Sequence, residues 1–373
     1  MKKLYLLLAI LFIFSGGFVA GSLFSVKNNS SDLLDIGQIP QSSKALEQKA
    51  LPKLEHSASN LLIGYVQDFR DPSVVNYNQL THVIFSFAHP TKDGNVLLNG
   101  DTALEHLRTM VSKAHQNNSK AILAVGGWFH MNGGESYDYF KAAIAAPLAR
   151  TKLVKELMNL TENEHLDGID IDFEHPRSQE DAVNLNAFIQ ELSSKLHPQG
   201  KELSIAVHSK IHSVTGTELG FVVYEPSMFQ YVDHVNIMAY DGQWDGGYNA
   251  ANLSPYPFTE NIVNYWTTLF DKHNLSKEKL VLGVPFYAQP EDPKSKQVSY
   301  EALIKNDPDN AGKDSVKLNG TTYFYNGAET IQKKTKLALT NGFGGMMIWE
   351  VGLDAKGVYS LTAAISEEMK EIK

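Results

Sequence analysis

Hydrophobic residues recur along the chain as short runs separated by stretches with helical spacing. Runs rich in β-branched and aromatic residues predict eight strands: Leu61–Val66, Thr81–Phe87, Lys120–Gly126, Gly168–Glu174, Leu203–His208, Val232–Tyr240, Leu280–Tyr287 and Phe343–Trp349. In stretches such as Ala103–Gln116, apolar residues recur at steps of three and four, which predicts an amphipathic helix. Asp101 or Thr102 is the expected cap of that helix.

Eight strands that alternate with helices predict an α/β fold of the (β/α)8 TIM-barrel type over residues 59–373. The longest spacing lies between strands seven and eight, which predicts a small insertion at about residues 289–326. A doubly wound open sheet is the alternative, and it usually carries a glycine-rich phosphate turn after its first strand. Here Gly64 is followed by Tyr65, Val66 and Gln67, so the barrel is favoured.

The N-terminus has the pattern of an export signal. Lys2 and Lys3 precede an apolar run from Leu4 to Phe14, and small residues follow it. Residues 1–26 are predicted to be a signal peptide or an uncleaved signal anchor, because the apolar stretch is also long enough to span a bilayer. A buried helix is the weaker alternative. Residues 27–58 read as a flexible spacer, and the protein is predicted to be exported: secreted, periplasmic or anchored facing outward.

Composition removes several classes of function. The chain has no cysteine, which excludes disulfides, thiolate metal sites and thiol nucleophiles. It carries 42 acidic against 33 basic residues, a net charge of −9, with no basic tract, so no nucleic-acid partner is expected. We expect a monomer that meets a membrane only through an uncleaved N-terminal anchor.

The most informative segment is residues 167–176, DGIDIDFEHP. In a strand, Asp170, Asp172 and Glu174 share one face, and the apolar residues between them share the other. In a barrel the carboxyl groups would point inward, about 6–7 Å apart, and could not all ionise cheaply. A protonated carboxyl beside a second carboxyl is the arrangement that a general acid needs.

Two other interpretations of this segment stay open. It could be a solvated edge strand, although the Ile/Ile/Phe alternation disfavours that. It could also bind a divalent metal through the carboxylates and His175, which a chelator would reveal. We expect neither a metal nor a cofactor.

The spacing Asp167, Asp170, Asp172, Glu174 resembles the signature of glycoside hydrolase family 18, the chitinases and their relatives. Further segments resemble the other strand motifs of that family: Gly64-Tyr65, Ser86-Phe87-Ala88, Ala124-Val125-Gly126-Gly127-Trp128, Met238-Ala239-Tyr240-Asp241, Gly283-Val284-Pro285-Phe286-Tyr287 and Gly344-Gly345-Met346-Met347-Ile348-Trp349-Glu350. Six motifs in the right order are far more specific than one.

The resemblance implies retaining, substrate-assisted hydrolysis of β-1,4 bonds next to N-acetylglucosamine, in chitin or its oligosaccharides. It implies that Glu174 is the general acid and base, and that Asp172 orients the acetamido group. Asp170 would share a proton with Asp172, and the Tyr240 hydroxyl would donate to the acetamido oxygen. Asp167 would be structural. The implied substrate-binding residues are Tyr65, Phe87, Gly127, Trp128, Met238, Asp241, Tyr287 and Trp349, with Trp244 expected at a neighbouring subsite.

The chain departs from the family pattern at four positions: Ala124 replaces a serine, Phe173 and His175 replace common aromatics, and Gln289 replaces a frequent arginine. Other expectations remain open beside a chitinase. An endo-β-N-acetylglucosaminidase acting on glycoprotein or wall glycans is one. The other is a chitin-binding lectin, although such lectins have typically lost the acid that Glu174 would supply.

Overall fold

The computed structural model describes residues 60–372. The expected signal segment (1–26) and spacer (27–58) lie outside the described residues. Within residues 60–372, no helix has both the length and the apolar composition that crossing a bilayer requires.

The centre of the fold is a closed barrel of eight parallel strands: β1 (Leu61–Gln67), β2 (His82–Pro90), β3 (Lys120–Gly126), β4 (Gly168–Asp172), β5 (Glu202–His208), β6 (His234–Met238), β7 (Leu280–Pro285) and β8 (Gly345–Trp349). Strand β1 pairs with β2 on one side and with β8 on the other, which closes the barrel. The predicted TIM barrel is confirmed. Its strands are dominated by buried Val, Ile and Leu, as expected for parallel strands covered by helices.

Helices cover the outside of the barrel: α1 (Gly100–Gln116), α2 (Tyr137–Ala145), α3 (Pro147–Asn163), α4 (Gln179–Leu196), α5 (Tyr256–Lys272), α6 (Tyr300–Asn306), α7 (Ala328–Thr340) and α8 (Leu361–Glu371). The alternation of strands and helices is incomplete. In the part of the chain that the structure describes, the β1–β2 and β5–β6 connections contain 3-10 turns and no α-helix: Pro72–Val74 and Tyr77–Gln79 in the first, Pro226–Tyr231 in the second.

An insertion separates β7 from β8, as predicted. It consists of α6 and a small antiparallel sheet whose strands are, in spatial order, Val298–Ser299, Tyr287–Pro290, Thr321–Phe324 and Ser315–Leu318. A further short strand, Val96–Leu97, forms a hairpin with the end of β2.

Several predicted boundaries differ from the structure by one to three residues, including the end of β4 and the start of α1. Strand β4 ends at Asp172, so Glu174 lies in the loop just beyond it. Helix α1 begins at Gly100 after Asn99, so the cap predicted at Asp101 or Thr102 is wrong. Both residues lie in the first turn, where the carboxylate of Asp101 still interacts favourably with the helix dipole.

Candidate active site

Asp170 lies in the middle of the barrel, bound by side chains from three other strands. Its Oδ2 accepts a hydrogen bond from the Tyr65 hydroxyl at 2.7 Å. Its Oδ1 accepts from Ser204 Oγ at 2.5 Å and from Asn236 Nδ2 at 3.1 Å. These donors come from β1, β5 and β6, which shows that Asp170 points into the barrel, as the alternation predicted. Burial raises the pKa of Asp170, and the three donors oppose that rise.

Asp172 lies one step nearer the C-terminal end of the same face, and it has much less support. It is 3% exposed, and its Oδ1 has no hydrogen-bond partner among the described residues. Burial, followed by the charges of Glu174 and Asp170, raises the pKa of Asp172 well above its usual range. These effects favour the protonated form of Asp172.

Glu174 follows at the mouth of the barrel. Burial, with a further contribution from the Asp241 carboxylate, raises the pKa of Glu174 to about 8. A glutamic acid with this pKa is largely protonated at pH 7 and still able to lose its proton, which are the properties of a general acid.

Two tyrosines and Asp241 form the opposite wall of this mouth. The Tyr287 hydroxyl donates to Asp241 Oδ1, which also accepts from Gln243 Nε2 at 3.0 Å. Tyr240 is 7% exposed, and its hydroxyl lies 3.9 Å from Met347 Sδ, a weak acceptor. Asp241 adopts a φ of +63°, so the chain turns sharply directly after Tyr240.

Aromatic rings pack together above Asp170. Trp349, at the end of β8, lies 5.6 Å from the Tyr65 ring and stacks on Phe87 at 5.8 Å and 25°. Gly127 has a φ of +76°, and a Cβ there would lie 2.8 Å from carbons of the Phe87 ring. The close approach therefore requires glycine. Tyr65 itself is 1% exposed with its hydroxyl bound to Asp170, so it supports the site from below.

The remaining predicted binding residues lie around the mouth. Trp128 is half-buried after β3, 6.4 Å from the His175 ring, and Met238 is half-buried at the end of β6. Trp244 lies farther out: it is 48% exposed and its ring is 5.0 Å from that of Tyr248.

Comparisons with known proteins assign the chain to a family. The model for glycosyl hydrolases family 18 matches residues 61–354, which span the barrel almost completely. The chain belongs to glycosyl hydrolase family 18. It is 25% identical over 360 residues to Probable chitinase 10 of Drosophila melanogaster, covering 80% of this chain and 15% of that protein. It is 30% identical over 241 residues to a chitinase-like effector of Moniliophthora roreri, covering 60% of this chain and 56% of that protein.

The chain thus spans well under two thirds of the length of these two relatives. Among solved structures, a family 18 chitinase from the chitin utilization locus of Flavobacterium johnsoniae matches with a TM-score of 0.70 and 25% identity. That match covers 85% of this chain and 96% of the other.

Ser204 and Asn236 are site residues that the sequence analysis missed. Their inward direction follows from the strand register: Ser204 is paired with Asp170 and therefore points inward beside it. Ala124, which replaces the serine of the family 18 motif, is the register neighbour of Asp170 on the other side. Ser204 thus supplies a hydroxyl to the same carboxylate that a serine at position 124 would adjoin.

The other departures from the family 18 pattern have clear local partners. Phe173 points away from the site and stacks on Phe140 at 4.9 Å. His175 lies 5.1 Å from His208, and burial lowers the pKa of His175 to about 4, so it is neutral beside Glu174. Gln289 donates to the Tyr248 hydroxyl at 2.9 Å.

Asp167 contacts the outer layer. It accepts from the backbone N–H of Ala121 at 2.8 Å and pairs with His115 at 2.7 Å, contacts that suit a structural role.

Proposed function

We propose that this chain hydrolyses β-1,4 bonds next to N-acetylglucosamine in chitin or chitooligosaccharides, with retention of the anomeric configuration. The observation that carries the proposal is the buried row of carboxyl groups that ends at Glu174, whose pKa is raised to about 8. Family membership and the chitinase names of the relatives support the same substrate class.

In the first step, Glu174 donates its proton to the oxygen of the glycosidic bond as the bond to the anomeric carbon breaks. The acetamido oxygen of the substrate attacks that carbon and forms a cyclic oxazolinium ion. Asp172 accepts a hydrogen bond from the acetamido N–H, and the Tyr240 hydroxyl donates to the acetamido oxygen, which together hold the nucleophile in line. The positive charge that develops lies next to the carboxyl row, which stabilises it.

In the second step, the Glu174 carboxylate takes a proton from water. The resulting hydroxide attacks the anomeric carbon from the side that the leaving group vacated, and the oxazolinium ring opens. Glu174 regains its proton, and the product keeps the β configuration. Trp349, stacked on Phe87, would provide the floor on which the reacting sugar ring packs.

The test is incubation of the full chain with chitotetraose or chitopentaose, with products resolved by size and by anomer. We expect β-anomeric chitobiose and chitotriose at early times. Glu174→Gln should reduce the rate by several orders of magnitude, because an amide cannot donate the proton. Glu105→Gln, an exposed glutamate on α1, is the matched control and should keep full activity. The rate should also be unchanged by a chelator.

Binding without hydrolysis is the rival function, favoured by one observation: a relative that covers 60% of this chain is called a chitinase-like effector. A folded protein that binds chitotetraose without cleaving it, and whose binding is the same in Glu174→Gln, would overturn the hydrolase proposal. Cleavage of glycoprotein or wall glycans, with chitooligosaccharides left intact, would show that the reaction is glycoside hydrolysis of a different substrate.

A further inference from the structure

Three potential metal ligands meet at the end of the barrel opposite Glu174. His82, Glu202 and His234 are the first residues of β2, β5 and β6. His82 Nε2 lies 2.8 Å from Glu202 Oε2, and His234 Nε2 lies 3.6 Å from the same oxygen. One ligand atom from each residue falls within 4.8 Å of the others. The group is thus assembled by barrel closure from three separate strands.

His234 is the member of this group that lacks hydrogen-bond partners within residues 60–372. Both of its ring nitrogens are buried and lack hydrogen-bond partners among the described residues. An unpartnered buried nitrogen is costly, and the Glu202 oxygen it faces is already in contact with His82. A proton between His82 and Glu202 would satisfy that pair and leave His234 unsatisfied. A cation with several coordination positions would bind one nitrogen of His234 together with His82 and Glu202.

We propose that His82, Glu202 and His234 form a binding site for a divalent transition-metal ion, for which Zn²⁺ is the reference. Two imidazoles and one carboxylate suit such ions better than Mg²⁺ or Ca²⁺, which prefer oxygen ligands alone. Tetrahedral Zn²⁺ with bonds of about 2.0–2.1 Å places neighbouring ligand atoms about 3.3–3.4 Å apart. The two separations from Glu202 Oε2, 2.8 and 3.6 Å, bracket that value, and the two histidine ligand atoms lie within 4.8 Å of each other.

The surroundings match those of metal ligands. Thr81 Oγ1 lies 2.8 Å from His82 Nδ1, the contact that orients a ligating imidazole through its second nitrogen. Lys120 binds Glu202 Oε1 and leaves Oε2 directed at the two histidines. The Glu202 side chain is 21% exposed, which gives an ion and a fourth, water ligand a route from solvent. The bound ion would link β2 to β5 and β6 across the bottom of the barrel.

This site departs from the expectation of a protein without a metal, and it takes no part in the proposed hydrolysis. The experiment uses the full chain, stripped with a chelator and dialysed, then titrated with Zn²⁺ by calorimetry and with Co²⁺ by visible absorption. We expect one equivalent of Zn²⁺ to bind, a higher thermal unfolding midpoint, and the intense absorption of low-coordinate Co²⁺. Glu174→Gln should bind Zn²⁺ equally well, which separates this test from that of the proposed function.

His82→Gln and His234→Gln should each weaken Zn²⁺ binding at least tenfold. His115→Gln is the matched control, because His115 also pairs with a carboxylate, Asp167, at 2.7 Å. If the two variants do not fold, X-ray absorption of the Zn²⁺-loaded unmutated chain decides the question. Two imidazole ligands support the site. An all-oxygen shell, an absence of stoichiometric binding, or binding that only His115→Gln weakens overturns it.

Discussion

The proposed hydrolysis should decline as the pH rises through about 8, the pH at which Glu174 loses its proton. With its ordinary pKa of 4.5, only roughly 0.3% of Glu174 would be protonated at pH 7, whereas a pKa of about 8 keeps about 90% in the acid form. The difference corresponds to about 5 kcal/mol of unfavourable free energy for ionising the carboxyl. Above pH 8 the value of kcat/KM should fall about tenfold per pH unit.

The charge of Asp241 can be removed to test the cause. Burial is the larger contribution to the raised pKa of Glu174, and the charge of Asp241 is the second. Asp241→Asn should therefore move the basic limb of the pH profile, where kcat/KM falls with rising pH, to lower pH without returning it to 4.5. The assay is kcat/KM for chitotetraose from pH 4 to 10. The position of the limb is compared rather than its height, because Asp241 is also proposed to bind the sugar. Asp101→Asn, an exposed carboxylate on α1, controls for net charge. A wild-type limb near pH 5, or a limb that does not move in Asp241→Asn, would refute this reasoning.

Three predictions concern stability, measured by urea unfolding. Because the pKa of Glu174 is higher folded than unfolded, its ionisation destabilises the fold as the pH rises from about 4.5 through about 8. Glu174→Gln should therefore raise the free energy of unfolding at pH 9 by up to about 5 kcal/mol and change it little at pH 4. The control Glu105→Gln should change the free energy of unfolding little at either pH. Burial lowers the pKa of Lys334 to about 7, so its contribution to stability falls as the pH drops from 10 to 7. Lys334→Met should remove that pH dependence, and the control Lys336→Met should keep it. Parallel plots of unfolding free energy against pH for wild type and Lys334→Met would contradict the lowered pKa of Lys334. Gly127→Ala should cost about 1–3 kcal/mol, since its φ is +76° and the new Cβ would meet Phe87. Gly312→Ala, with open space around it, is the control, and equal effects at the two glycines would argue against strain at Gly127.

The strands could be predicted because parallel barrel strands are buried on both sides and appear as short β-branched runs. The alternation of Asp170 and Asp172 within β4 also predicted that both side chains face inward, whereas Glu174 lies beyond the end of the strand. The absence of α-helices from the described β1–β2 and β5–β6 connections was harder to predict from the sequence pattern. In those connections the chain needs only to return along the barrel, and 3-10 turns are sufficient for that.

Partners that come from different strands could not be read from the sequence. Ser204 and Asn236 are polar residues between apolar neighbours, and nothing local distinguishes a polar side chain that meets Asp170 from one that meets solvent. The same is true of His82, Glu202 and His234, which are far apart in the sequence and come together only when β1 pairs with both β2 and β8. Register and closure are properties of the whole barrel, so the contacts that depend on them require the structure.

The distribution of donors inside the barrel explains how three similar carboxyl groups come to differ. Asp170, Asp172 and Glu174 are all removed from water, which by itself raises every one of their pKa values. Asp170 has three hydrogen-bond donors, each of which favours the carboxylate, whereas Asp172 has an oxygen without a partner among the described residues. A negative charge in the row is therefore held most easily on Asp170. Its presence there makes ionisation of Asp172 harder still, and the charge of Asp241 does the same to Glu174. The protonated form is consequently favoured on the upper two carboxyl groups, and Glu174, which lies nearest the mouth, is the one that can transfer its proton to a substrate.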